Sequence, residues 1–271
     1  MVVARDAWER GGAYENFMGR WSRQASRAFL SWLDADAGGR WLDVGCGTGA
    51  LTATAIEVAN PSEIVGVDPS EGFIETARAR IDDPRARFEP GDASGLRFAD
   101  AQFDVVVGGL MLNFVPVPGT AAAEMARVAA PGGVVAAYVW DYAEGMAMLR
   151  HFWEAAVALD PEAETLDEGR RFPWCRPEPL RSLWAASLTD VSVRPIDVIM
   201  AFRDFDDYWT PFLGGQGPAS AYVMALPDDH RSELRALLRD RLRAEADGSI
   251  VLAARAWAVR GTPGVRPTRP A

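Results

Sequence analysis

The stretch Trp41-Leu42-Asp43-Val44-Gly45-Cys46-Gly47-Thr48-Gly49 limits what this chain can fold into more than any other. An apolar segment runs into three glycines spaced G-x-G-x-G. A helical stretch follows, and a second apolar run, Ile64-Val65-Gly66-Val67, ends on Asp68. This is the first half of a βαβ unit that binds a nucleoside-like ligand. The glycines let backbone approach the ligand, and the second acid reaches its ribose. Asp68 follows Gly49 by 19 residues, near the offset of about 20 expected of a ribose-binding acid. A dinucleotide site reads G-x-G-x-x-G instead, with a pyrophosphate on the helix N-terminus. Asp43, at the end of the first strand, would repel a pyrophosphate and suits a ligand carrying an ammonium group.

On those residues the chain resembles motif I of the class I S-adenosylmethionine-dependent methyltransferases, an acid followed by G-x-G-x-G. The resemblance implies that Asp43, Gly45, Cys46, Gly47 and Gly49, with Asp68 and Pro69 after the second strand, bind S-adenosylmethionine. A third strand, Ala86–Pro90, ends at Gly91-Asp92-Ala93. It matches a family motif whose acid accepts from the exocyclic amine of adenine, which adds Asp92 and Ala93. The run Phe103–Leu110 continues into Met111–Pro116. In related enzymes this region lines the cofactor and faces the transferred methyl, so Leu110 is expected near adenine or sulfonium, and Asn113 is a group to orient an acceptor. An acid-and-proline arrangement frequent in enzymes that methylate nucleic-acid or protein amino groups is missing here. Many family members also close an N-terminal segment over the cofactor, with a Tyr and an Arg on its methionine carboxylate. Tyr14 and Arg20 occupy that stretch, and Arg can grip a carboxylate bidentately.

The remaining pattern is consistent with this fold. Five strands alternate with helical stretches, which makes a parallel doubly wound sheet the economical arrangement, with ligands beyond the carboxyl ends of the strands. Helical spacing is expected from Trp21 to Trp32, over 49–59, 71–81, 120–128 and 146–158. Residues 160–179 read as loop, and 188–202 as a sixth strand interrupted at Pro195. An amphipathic helix is expected over 228–246 with Leu234, Leu237, Leu238 and Leu242 on one face, and a last strand over 249–260. The expectation is an α/β, Rossmann-like doubly wound fold with a mostly parallel seven-stranded sheet and a helical cap insertion. Its parts are an N-terminal helical segment closing over the cofactor (1–35), a methyltransferase core (36–203), the cap (204–247), the final core strand (248–261) and a flexible tail (262–271). Aromatic residues Trp153, Trp174, Phe205, Tyr208, Trp209, Phe212 and Tyr222, with Met224, are candidates to line an acceptor pocket under that cap.

Composition narrows the chemistry. All 28 basic residues are Arg, against 38 acids, for a net charge of −10. Without Lys there is no Schiff-base chemistry and no Walker-type phosphate lysine. The negative charge argues against nucleic-acid and anionic-membrane partners. Cys46 and Cys175 show no metal spacing, no apolar run reaches the length of a membrane span, and no signal peptide is evident. The expected protein is cytoplasmic, a monomer or homodimer, with S-adenosylmethionine as cofactor and a small-molecule acceptor. The resemblance implies in-line methyl transfer to a small apolar or aromatic metabolite. A general base is optional in such chemistry; His151, Asn113 and Asp141 are the candidates, and none is assigned the role. The alternatives are an NAD-dependent oxidoreductase and a non-catalytic cofactor-binding protein.

Overall fold

In the computed structural model, which describes residues 19–214 and 217–264, the apolar runs of the first half become five parallel strands. These are β1 (Arg40–Val44), β2 (Glu63–Asp68), β3 (Ala86–Pro90), β4 (Phe103–Gly109) and β5 (Ala129–Trp140). Helices α1 (Arg20–Leu33), α2 (Ala50–Val58), α3 (Glu71–Arg80) and α4 (Pro118–Val128) flank them. The seven-stranded sheet has the order β3-β2-β1-β4-β5-β7-β6. The chain therefore winds outward on both sides of β1, and the switch point lies between β1 and β4.

The central strands lack polar alternation because both of their faces are covered. Trp41, Ile64, Val105, Val107, Tyr138 and Trp140 point into one packed layer. Leu42, Val44, Val65, Val67, Val106 and Val139 point into the other. Five-residue stretches thus supply two cores at once through the two-residue period of a strand. β5 starts earlier than its apolar run, at Ala129, and passes through Pro131-Gly132-Gly133 as an irregularity. Phe103 pairs with Ala129, but Val105 already pairs with Val134. Gly132, with φ +78°, takes up the extra residues.

After β5 come α5 (Ala147–Leu159), α6 (Pro177–Ala185), β6 (Leu188–Phe202), α7 (Phe205–Trp209), α8 (Gly217–Ala225), α9 (Asp228–Arg241) and β7 (Ile250–Pro263). The stretch expected as loop, 160–179, folds into a 3-10 segment at Pro161–Leu166, a single helical turn at Glu168–Arg171, a short 3-10 turn at Pro173–Cys175 and the first residues of α6, the short helix expected over 180–186. β7 lies antiparallel between β5 and β6. No break occurs at Pro195, which stands opposite Trp257 in a continuous ladder. β6 is the edge strand, so a missing N–H on its unpaired side costs no ladder bond. The register slips instead between Thr189 and Ser192, beside Asp190 at φ +53°. β7 runs through Pro263, past the expected Arg260, and the rest of the expected tail (265–271) is outside the described residues.

Residues 204–247 carry α7, α8 and α9, and this segment packs on α5. Tyr208 Oη donates to the Met148 carbonyl at 2.9 Å, and the rings of Phe152 and Phe212 stack with centroids 4.6 Å apart. Tyr222 lies 6.0 Å from Trp153. Leu234, Leu238 and Leu242 are buried, and α9 ends at Arg241. In the same core, α1 buries Trp21, Phe29 and Leu33. Trp21 meets Phe202 at 5.0 Å and Phe29 meets Tyr138 at 4.8 Å. Among the described residues no helix is long and apolar enough to cross a membrane, and no group of three or more His, Cys, Asp or Glu could hold a metal ion.

Candidate functional site

A cavity of about 420 Å³ opens across the carboxyl ends of β1 to β5. Its wall runs from Gly91, Asp92 and Ala93 after β3, past Asp68 and Pro69, over the glycine turn, to Gly109 and Leu110 after β4 and Tyr138 of β5. Nine of the sequence-derived candidates, Asp43, Gly45, Cys46, Gly47, Asp68, Pro69, Asp92, Ala93 and Leu110, meet there. They are drawn together from four connections because parallel strands all end on the same edge of the sheet.

The turn is held by β2. The N–H groups of Gly45 and Cys46 donate to the Val67 carbonyl at 2.8 and 3.0 Å. Gly45 has φ +70°, and a Cβ there would stand 2.4 Å from Met111 Cβ, so conformation and space both demand glycine. Gly47 also has positive φ, but a Cβ would meet nothing within 4 Å. Its bare backbone faces the cavity. Gly49 is set back from the wall and enters α2, where a Cβ would lie 2.5 Å from Ile81 Cδ1.

Asp43 is completely buried. Thr52 Oγ1 donates to its Oδ2 at 2.6 Å, while Oδ1 has no hydrogen-bond partner. Burial pushes the carboxyl up to about 7, the Thr52 hydrogen bond opposes this, and the nearby Asp68 charge adds to it. A buried carboxylate with one unsatisfied oxygen on a cavity wall is a site for a cationic donor. Asp68 is better provided for. Its Oδ2 accepts from Gly47 N–H at 3.0 Å and its Oδ1 from Ser70 N–H at 2.9 Å. Burial still leaves its carboxyl above the usual range, although these two donors pull the other way. Each Asp68 oxygen keeps acceptor capacity for a hydroxyl. Burial, with Asp43 and Asp68 nearby, also keeps the Cys46 thiol well above its ordinary range. Asp92 accepts from Ser94 N–H at 2.7 Å, a turn that fixes its carboxylate on the cavity rim.

Leu110 takes φ +62°, a left-handed conformation that costs a non-glycine residue about 1 kcal/mol or more. Its N–H donates to the Tyr138 carbonyl at 2.8 Å, which holds the strained residue against β5. Sequence reasoning also missed Ser22, Thr48, Phe73 and Tyr138 on the wall. The Tyr138 hydroxyl lies 2.9 Å from Ser26 Oγ. Since Ser26 Oγ donates to the Ser22 carbonyl, Tyr138 is the donor of that pair. Gly109 makes room for it, because a Cβ there would lie 2.8 Å from the phenol oxygen. A lone aromatic in a strand looks like core from sequence, and only the pairing of β5 with β4 shows where it faces.

Other candidates are elsewhere. Arg20 is off the cavity wall. Its guanidinium pairs with Asp207 at 3.0 Å and lies over the Trp21 ring at 4.1 Å. Asp141 is buried where it accepts from Glu144 N–H at 2.9 Å, a turn beyond β5. His151 is half-buried on α5, and neither residue reaches the cavity. Asn113 sits just behind the wall, with its Oδ1 buried and lacking a hydrogen-bond partner. Tyr14 is outside the described residues. Of the aromatics expected under the cap, Trp153, Tyr208 and Phe212 are core residues, and none of that group lines the cavity. Among the described residues the wall carries three carboxylates and no Arg or His.

Comparison with known proteins bears on this geometry. Residues 42–137, which hold the glycine turn and the strands to β5, match the family model described as a methyltransferase domain. A demethylmenaquinone methyltransferase of Roseiflexus sp. is 34% identical over 172 residues, covering 58% of this chain and 70% of that protein. A second, from Symbiobacterium thermophilum, is 37% identical over 121 residues, 42% of this chain and 47% of that one. A probable methyltransferase of Aspergillus luteorubrus is 34% identical over 145 residues, 46% and 51% respectively. The chain thus spans about half the length of the last two. Among solved structures, a Haemonchus contortus phosphoethanolamine N-methyltransferase in complex with phosphomonomethylethanolamine and S-adenosylhomocysteine superposes with a TM-score of 0.57. It is 17% identical and covers 93% of this chain and 57% of that one, a likeness of fold.

Proposed function

We propose that this chain, which belongs to the class I S-adenosylmethionine-dependent methyltransferases, transfers a methyl group to a small apolar or aromatic metabolite. The observation that carries the reading is Asp43: a buried carboxylate with an oxygen left without a partner, on the wall of a cavity whose wall has no opposing cation among the described residues. The cofactor's ammonium is a donor of the required charge. In this reading Asp43 holds that ammonium, Asp68 accepts from the ribose hydroxyls while Gly47 and Ser70 fix its orientation, and Asp92 with Ala93 meets the adenine. The bare Gly47 backbone keeps the space a side chain would fill. When bound, S-adenosylmethionine supplies a sulfonium-activated methyl carbon for in-line displacement.

What remains for the protein is alignment and the exclusion of water. Leu110, Met111, Phe114, Val115 and Pro116 form an apolar wall next to the acids. That wall supports an uncharged acceptor, since an anion would meet three carboxylates and a hydrophilic one would lose its hydration without compensation. No histidine stands on the described wall, and the Tyr138 proton runs through Ser26 to a backbone carbonyl, which cannot take it up. The arrangement therefore suits an uncharged acceptor that needs no base from the protein. An NAD-dependent oxidoreductase is disfavoured by the glycine spacing and by Asp43. The test is titration calorimetry with S-adenosylhomocysteine, followed by transfer of labelled methyl to a panel of neutral aromatic and apolar compounds. Binding of NAD in place of S-adenosylhomocysteine would overturn the assignment.

A further inference from the structure

The aromatic side chains of the helical insertion are consumed in the core, so acceptor selectivity has to come from another part of the chain. Of the aromatics on the cavity wall, Phe114 is the most exposed. Phe114, on the turn after β4, lines the cavity and is 40% exposed, and Val117 beyond it is 57% exposed. Phe114 meets Phe172 edge-on, with centroids 6.1 Å apart and planes at 74°. Phe172 in turn lies 6.1 Å from Tyr142. An apolar path thus leads from Met111 inside the cavity, over Phe114, to the surface.

Phe172 belongs to the segment between α5 and α6, and that segment is fastened with unusual care. Arg150 on α5 holds Asp167 through both oxygens, one at 2.7 Å. Trp153 Nε1, also on α5, donates to the buried Glu168. Gly169 lies so close to the chain after β5 that a Cβ would stand 2.6 Å from the Tyr142 carbonyl. The Arg171 guanidinium covers Phe172 at 5.3 Å from its ring centre. These contacts aim Phe172 at Phe114. They are more than a surface connection requires, and they hold an aromatic ring against the exposed aromatic of the cavity wall.

We propose that Phe114 and Phe172 form an aromatic clamp that receives a flat, neutral aromatic acceptor at the cavity mouth, and that the 167–172 segment sets acceptor selectivity. The clamp rests on the methyltransferase reading and gives it a substrate class. A ring entering along this path lies against Phe114 and presents its edge to Phe172, the offset and edge-on arrangements that aromatic pairs favour. Phe114 and Phe172 are positioning residues; they carry no proton and stabilise no charge.

The test uses protein loaded with S-adenosylhomocysteine and titrated with naphthol, a neutral fluorescent aromatic alcohol. Phe114→Leu and Phe172→Leu keep apolar volume while removing the rings, and thermal melts verify that each variant is folded. Each is expected to weaken naphthol about three- to tenfold and to leave S-adenosylhomocysteine affinity within about twofold. Met224→Ala, on the exposed side of the insertion, should change neither. Equal weakening of both ligands would assign Phe114 to the cofactor and overturn the clamp. So would failure of the loaded wild-type protein to bind naphthol, which leaves cofactor binding intact. A protein that binds no S-adenosylhomocysteine would sink the methyltransferase reading itself, and the clamp with it.

Discussion

Asp43→Asn separates what Asp43 does for the ligand from what it does to the fold. Asparagine preserves shape, and its amide oxygen still accepts from Thr52 at the 2.6 Å contact. It removes a charge that the free protein is poorly built to hold. The Asp43 carboxyl moves from an ordinary 3.8 up to about 7 on folding, chiefly through burial. Between those values the folded protein binds a proton that the unfolded chain has released. Wild-type stability therefore falls as pH rises through this window, and the asparagine variant lacks that loss. The rise corresponds to about 4 kcal/mol. In urea unfolding of ligand-free protein, the variant should gain on wild type by about 1.4 kcal/mol per pH unit from about pH 4 to pH 7, with a flat difference above. Glu168, also buried and pushed up to about 7, is present in both proteins and cancels. The same variant should lose S-adenosylhomocysteine affinity by about 1.5–3 kcal/mol, the worth of a charged hydrogen bond. A stability difference that ignores pH, or a variant less stable than wild type at pH 8, would mean that Asp43 is ionised and partnered without ligand. The reasoning would then fail.

Other substitutions probe the neighbouring parts. Asp68→Ala should weaken S-adenosylhomocysteine by about 1–3 kcal/mol in calorimetry, because ribose hydroxyls and Gly47 N–H both lose an acceptor; unchanged affinity would remove Asp68 from the site. Gly45→Ala and Gly47→Ala should part company. The first drives a Cβ into Met111 and should cost about 2–4 kcal/mol in chemical denaturation, whereas the second should cost about 1 kcal/mol and abolish detectable cofactor binding. Arg20→Ala and Asp207→Ala, combined in a double-mutant cycle, should show a coupling of about 0.5–1 kcal/mol, as Arg20 is 37% exposed and its charge is screened. If Arg20→Ala lowers S-adenosylhomocysteine affinity well beyond Asp207→Ala, Arg20 reaches the cofactor after all. Tyr208→Phe should destabilise by about 1 kcal/mol by leaving the Met148 carbonyl without its donor.

What could be read from the sequence follows from how each feature is encoded. β1, β2 and β4 were legible because a strand buried on both faces must be apolar throughout, and the strand ends because Gly45, Asp68 and, after the exposed edge strand β3, Asp92 stand at fixed places. Those signals are local, and nine candidates converge on one cavity. The position of Arg20 was not legible: a carboxylate from residue 207, far along the chain, neutralises it. Tyr138 and Ser22 went unread for the same reason, since a strand tyrosine and a helix serine acquire meaning only when α1 lies across β5. The expected break at Pro195 assumed a paired neighbour on both sides, and the topology put β6 at the edge. The segment from 160 to 176 looked like loop because its helical turns are too short to show a period. Its anchors, Arg150 and Trp153, are contributed by another helix.

The docking of α1 has a consequence for synthesis. Trp21 rests on Phe202, and Arg260 Nη1 donates to the Leu33 carbonyl, at the last turn of the helix, at 2.9 Å. On a ribosome that releases the chain from its N-terminus, α1 emerges early, yet its seat is completed only after β7 has been made. Until then its apolar stripe is only partly seated, with Phe29 on Tyr138 of β5, and Trp21 lacks Phe202 and is open to association with other nascent chains. Ser22, part of the cavity wall, comes into place with the same helix. The glycine turn can form during translation, but the finished pocket cannot. The complete cavity is thereby reserved for chains that have reached β7.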